Sequence, residues 1–153
     1  MKVKTIKAVE AYRALKALKV GGMSDEAMLA VWKNLKALRP VSEAYDKDIE
    51  EVRATLQDEE FEKMQQRVKE AQELERRAKE DVRDMTAAEK QEISEINTWF
   101  AAWSKKGEEY FKELAEKEVK VDIVEFEAEE LLKAFKASDK TFEEVERLAW
   151  LTK

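Results

Sequence analysis

Any chemistry in this 153-residue chain falls to carboxylates, lysines and tyrosines, because it contains no His and no Cys. That removes Ser-His-Asp and Cys-His nucleophilic catalysis, imidazole- or thiolate-held zinc, the Glu-x-x-His di-iron motif and disulfides. Carboxylates cluster at Asp46, Asp48 and Glu50, and again at Asp58, Glu59 and Glu60. A calcium loop needs Gly at its sixth position, but counting from Asp46 that position is Glu51. Paired carboxylates do acid–base work only in a shaped pocket. On a charged helix they form a solvated face with opposite charges at i,i+4. Gly21-Gly22 resembles the start of a phosphate loop, yet no Gly-Lys-Ser/Thr follows. No catalytic, cofactor-binding or metal-ligating residue is assigned, no cofactor is expected, and the chain reads as a protein that is not an enzyme.

Two groups of residues are candidates for binding. Trp99, Phe100, Trp103, Tyr110 and Phe111 crowd one stretch. As core, they fill a helical hairpin against residues 68–78. As surface, Trp99, Trp103 and Phe111 are the candidates to anchor a protein partner, since exposed aromatics dominate interface energetics. Trp32 and Trp150 read as core. The second group is basic. Residues 1–40 carry nine Lys/Arg against three Asp/Glu, while the remainder is strongly acidic, for a net charge of −6. Arg13, Lys16 and Lys19 recur at steps of three and are candidates for one anion-binding helix face, of the kind that meets nucleic acid. The competing reading is that this basic segment docks onto the acidic remainder of the same chain.

These residues need elements to position them, and the pattern is helical almost throughout. With three Gly and one Pro, turns are few. From Tyr45 the apolar positions run Ile49, Val52, Leu56, then Phe61, Met64, Val68, Ala71, Leu74, Ala78, Val82 and Met85, mostly in steps of three and four. The step of five between Leu56 and Phe61 shifts the seam, and Asp58 is placed to cap a restarted helix. Thr86-Ala87-Ala88-Glu89 fits a capping box, so one helix is expected to end near Asp84 and another to begin at Thr86. Long amphipathic helices joined by so short a break favour an antiparallel hairpin over residues 41–117. A dimeric parallel coiled coil or a lone solvated helix are the other readings, disfavoured by the irregular seam.

Before this stretch, Thr5 is expected to cap a helix bearing Ile6, Val9, Tyr12, Leu15 and Leu18, stopped by Gly21-Gly22 in a left-handed conformation. Ser24 or Asp25 caps the next, and Pro40 breaks or kinks it, giving a helix pair over 5–39. After Leu114 the period changes to two: Val119, Val121 and Ile123 lie on one side of a strand, whose partner is residues 2–5 or a second copy of itself. A short helix follows over 128–135, then a turn at Ser138-Asp139. A second capping box at Thr141-Phe142-Glu143-Glu144 opens a last helix bearing Phe142, Val145, Leu148, Ala149 and Leu151. The expected fold is mainly α: one elongated domain over 1–153, with a long antiparallel helical hairpin, a smaller N-terminal helix pair and a short β element near the C-terminal third. No run of about 20 apolar residues is present and no apolar signal segment follows the basic start, so no membrane association is expected.

Several segments resemble a family of small helical proteins encoded by tailed phages and prophages. The segments are Lys2-Val3-Lys4-Thr5-Ile6 with its following helix, Lys33-Asn34-Leu35-Lys36-Ala37-Leu38, Tyr45 with Ile49, Glu113-Leu114, Glu118-Val119-Lys120-Val121-Asp122-Ile123, and the closing helix from Thr141. Residues 57–105 match no pattern of that family. The resemblance implies provenance more than mechanism. It leads to the expectation of a structural or assembly protein acting through protein–protein contact or self-association, in the host cytoplasm or with the virion. A small regulator meeting nucleic acid through the basic N-terminal helix is the alternative.

Overall fold

The computed structural model describes all 153 residues. It is mainly α, with six helices and one two-stranded antiparallel sheet. In order these are β1 (Lys2–Lys4), α1 (Thr5–Ala17), α2 (Asp25–Leu56), α3 (Glu59–Glu80), α4 (Ala87–Glu116), β2 (Glu118–Lys120), α5 (Ala128–Ser138) and α6 (Phe142–Glu146), then a 3₁₀ turn at Ala149–Leu151. No helix is long and apolar enough to cross a membrane. The chain divides into two compact units, one of residues 1–48 and 113–153, the other of residues 49–112.

The first unit is built around one core fed by every element it contains. Ala8, Ala11 and Leu15 of α1 meet Ala27, Val31 and Leu38 of α2, with Leu131, Ala134, Leu148 and Leu151 closing from the C-terminal segment. Pro40 does not break α2. Loss of an interior N–H costs about 3 kcal/mol, but core residues lie on both sides of it, Leu38 before and Val41 after. Pro40 itself faces solvent. Burial on both flanking turns outweighs the missing bond. Ser24 caps α2, its Oγ accepting from Ala27 N–H at 3.2 Å. The Ser24 N–H donates to Glu130 Oε2 at 2.7 Å, so a carboxylate from α5 does the work that the fourth residue of a capping box does locally.

Other expectations in this unit need correction. Thr5 is not a cap: it is the first residue of α1, and both its N–H (2.8 Å) and its Oγ (2.7 Å) donate to Lys117 C=O. Gly21 and Gly22 sit in the turn, but neither takes a positive φ. β2 pairs with β1 as one reading proposed, with Val3 opposite Val119. Past Lys120 the ladder continues by one exchange with Met1, whose amino group donates to Val121 C=O at 3.0 Å. Val121 N–H donates to Met1 C=O at 2.9 Å, and Phe126 bridges to Thr152. Between them Asn34, fully buried, clamps Val124: its Nδ2 donates to Val124 C=O at 2.9 Å and its Oδ1 accepts Val124 N–H at 2.8 Å. The last helix is also shorter than expected. Thr141 and Glu144 form the capping box, but α6 runs only to Glu146 and the chain tightens into the 3₁₀ turn.

The second unit is an antiparallel hairpin of α3 and α4. Asp58 caps α3 through Phe61 N–H at 2.9 Å. Thr86 and Glu89 form the expected capping box of α4, with reciprocal bonds of 3.0 and 3.1 Å. Glu89 also meets Arg83 at 2.9 Å, and these contacts lower its pKa to about 2, Arg83 being the largest cause. α3 ends at Glu80, four residues before the expected position. Arg83 N–H donates to Ala78 C=O and Val82 N–H to Lys79 C=O, a Schellman closure whose left-handed residue is Val82, at φ 50°. The seam is narrow: Met64, Ala71 and Ile96, flanked by Val68, Ile93 and Phe100. Arg67 fixes the register by a bidentate contact with Glu92, at 2.7 and 2.6 Å, and reaches Glu95 at 3.1 Å. Those two carboxylates raise the Arg67 pKa, and Arg67 in turn lowers that of Glu92.

Candidate interaction surfaces

Of the three aromatics expected to anchor a partner, two form an internal clip. Trp99 and Trp103 are one turn apart on α4 and meet Phe61 of α3, with Trp103 stacked on Phe61 at a centroid distance of 4.9 Å. Phe100 closes the group edge-on to Trp99, also at 4.9 Å. The indole N–H groups have defined roles. Trp103 Nε1 donates to Leu56 C=O at 2.8 Å, satisfying a carbonyl at the end of α2 that has no partner within the helix. Trp99 Nε1 donates to Glu60 Oε1 at 3.0 Å, in the first turn of α3. The two tryptophans thus bracket the Leu56–Glu59 break. The cluster meets the chain at Leu56–Phe61, before the 68–78 that the spacing suggested, while Trp99 and Phe100 also pack against the Met64–Ala71–Ile96 seam. Phe111 is half-buried farther along α4 and takes no part in the ring cluster.

The basic candidates separate. Arg13 Nη2 pairs with Asp46 Oδ1 at 2.8 Å. Lys16 is exposed near the end of α1. Lys19 lies beyond the helix, its backbone N–H held by Ser138 Oγ at 2.7 Å, so the three do not share one helical face. Arg13 instead joins Lys140 and Arg147 around a depression of about 260 Å³.

A second depression of about 290 Å³ is lined by Glu26, Glu125, Glu127 and Glu130. Acid–base catalysis would need a carboxyl raised toward neutrality. Glu130 is instead held below its usual range, by Lys133 first and then by the Ser24 N–H. Glu127 pairs with Lys153 at 3.1 Å. No three carboxylates of the chain are grouped to hold a metal ion.

The residue that the sequence misplaced is Trp32. It is 54% exposed, with Leu29 one turn earlier 49% exposed. Both lie on the solvent side of α2 with Lys33, Lys36 and Arg39, and the Lys36 ammonium stands 4.6 Å from the Trp32 ring centroid. The signal was in the spacing. Val31, Asn34 and Leu38 define the buried stripe, and Leu29 and Trp32 fall outside it. The polar Asn34 hid that stripe. Trp150 is half-buried under Lys7, 5.2 Å from its ring, and its Nε1 is a buried donor with no acceptor. Comparison with protein-family models, with curated proteins and with solved structures gives no match for this chain.

Proposed function

We infer that the protein acts by contact with another protein, without a reaction of its own, as a structural or assembly component of phage or prophage origin. The origin rests on the resemblance of the segments at Lys33–Leu38 and Glu118–Ile123. The mode of action rests on one observation: Trp32 and Leu29 stand largely exposed on α2 among three cations. A Trp with an aliphatic neighbour is the kind of group that anchors interfaces once covered. Lys33, Lys36 and Arg39 specify a partner whose surface is acidic around an apolar socket. The test is capture from cells in which the phage is induced, comparing wild type with Trp32→Ala and Leu29→Ala. A stoichiometric partner retained by wild type and lost from both variants, at unchanged melting temperature, supports the reading. Equal retention overturns it, as does virion assembly that is unaffected when the gene is deleted.

A further inference from the structure

We propose that the open edge of β2 pairs with the same edge of a second copy, antiparallel across a two-fold axis at Val119. The sheet has two strands, so each strand has one edge that the other does not cover. Hydrogen-bonded and non-hydrogen-bonded pairs alternate along an antiparallel ladder. Met1 and Val121 exchange both bonds, at 3.0 and 2.9 Å, and at the other end Thr5 N–H meets Lys117 C=O at 2.8 Å. The register between them makes Val3 and Val119 a bonded pair and leaves Glu118 and Lys120 in non-bonded pairs. The backbone N–H and C=O of Glu118 and Lys120 therefore point away from β1. Both residues are exposed, and no other group of the chain bonds to either backbone. Such an edge is a template for a further strand.

The side chains on this edge specify the strand that fits. Neither Glu118 nor Lys120 is ion-paired within the chain. Lys4, opposite Glu118, sends its ammonium to Glu116 at 3.7 Å. Lys2, opposite Lys120, carries the same sign, so Lys120 faces a like charge within its own sheet. An antiparallel copy centred on Val119 sets Glu118 against Lys120 of the copy, and Lys120 against its Glu118. Both oppositions join opposite charges. Both also fall on residues whose backbone groups point outward, so each forms a hydrogen-bonded pair. Val119 meets Val119 of the copy in the close, non-bonded position. That covers a side chain left half-buried, while Val3 and Val121 on the same face are already buried. The neighbouring registers fail. Centring on Lys120 opposes Lys120 to itself and Glu118 to Asp122, both like-signed. Centring on Val121 requires the backbone of Val124, whose N–H and C=O Asn34 already holds. In the Val119 register, Asp122 comes opposite Glu116, a like-signed pair. It lies beyond the strand, where Glu116 is the last residue of α4 and has Lys4 beside it. A three-residue strand makes a short ladder, so the dimer is weak and concentration-dependent.

No residue of this edge belongs to the Trp32 face. Sedimentation of the purified full chain across micromolar to millimolar concentrations tests it without any partner, so its failure leaves the capture experiment unaffected. Wild type is expected to shift from monomer to dimer. Lys120→Glu and Glu118→Lys each make both cross-axis oppositions like-signed, and each is expected to weaken association by about tenfold. Mixed in equal amounts they are expected to regain dimer, because every opposition then joins opposite charges. Lys120→Pro removes an outward N–H that β1 does not use, and is expected to abolish the dimer with the fold intact. Circular dichroism melts confirm that the variants are folded, and if Lys120→Pro is not, the charge-reversed mixture decides alone. A wild-type chain that stays monomeric overturns the proposal. So does a mixture that associates no better than its components, or a dimer that a folded Lys120→Pro leaves unchanged.

Discussion

The two units fold by different means, though both are rich in charged residues. Residues 1–48 with 113–153 enclose a core of sixteen buried residues, drawn from β1, four helices and the segments that join and follow them. The cluster within residues 49–112 has three buried residues on two helices, supported by a ladder of rings and by exposed ion pairs. In the first, a side chain is enclosed on every side. In the second, the buried stripe is only one residue wide on each helix, and exposed ion pairs add little. The same truncation should therefore cost very different amounts. Leu38→Ala, in the first unit, is expected to lose about 3 kcal/mol. Leu74→Ala, half-exposed on α3, should lose less than about 1 kcal/mol. Denaturant unfolding followed by hydrogen exchange within each segment measures both. Comparable losses would end the contrast.

The hairpin's stability is concentrated at its aromatic clip, and there the contrast sharpens. Trp103→Ala removes both the stack on Phe61 and the donor to Leu56, for an expected loss of about 2–3 kcal/mol. Trp103→Phe keeps the ring and removes only the donor, and should cost about 1 kcal/mol. Faster amide exchange in the last turn of α2 and the first of α3 is the local readout. If Trp103→Phe costs as much as Trp103→Ala, the hydrogen bond and not the stacking holds the junction.

How far the sequence disclosed this fold can be judged residue by residue. Asp58, Thr86 and Thr141 were legible as caps because capping is local: a side chain meets an N–H two or three residues away. The strand after Leu114 was legible because period two is also local, whereas its partner stayed open between residues 2–5 and a second copy until the fold paired it with β1. Pro40 misled because propensity weighs one residue, while α2 is held by burial on both sides of it. Trp32 misled because composition puts tryptophan inside, and only the Val31–Asn34–Leu38 stripe says otherwise. The roles of Asn34, Glu130 and Thr5 were not legible at all. Each meets a partner about 90 to 112 residues away, and nothing short of the fold specifies such a pairing. Of the binding candidates, Arg13 was sound in kind, but its companions Lys140 and Arg147 come from the other end of the chain.

A substitution at the hairpin turn runs the other way. Val82 closes the Schellman motif at φ 50°, where a β-branched residue is strained and Gly is favoured. Its side chain is 92% exposed, so removing it forfeits no packing. Val82→Gly is therefore expected to stabilise the hairpin by about 1 kcal/mol, the left-handed penalty of an L-residue less the entropy of Gly. A lowered midpoint would show that the turn relaxes out of the left-handed region in solution.

The smallest expected effect probes how tightly the hairpin is closed near the clip. Gly107 lies on α4 one turn beyond Trp103, and a Cβ built on it would stand 3.3 Å from Leu56 Cδ1. Mid-helix Gly→Ala gains about 1 kcal/mol of helix propensity. Adding a methyl group to a filled space costs about 1–3 kcal/mol, but here the obstacle is the far end of one flexible side chain, which can give by a few tenths of an ångström. The two effects nearly cancel, so Gly107→Ala should change stability by less than about 1 kcal/mol. Leu56→Val withdraws the obstructing methyl. In that background Gly107→Ala should become stabilising by about 1 kcal/mol, the full propensity gain. The coupling in the double-mutant cycle reports the contact itself. If Gly107→Ala already gains that much beside the native Leu56, the helices are not in close approach at this level, and the glycine is there for some reason other than space.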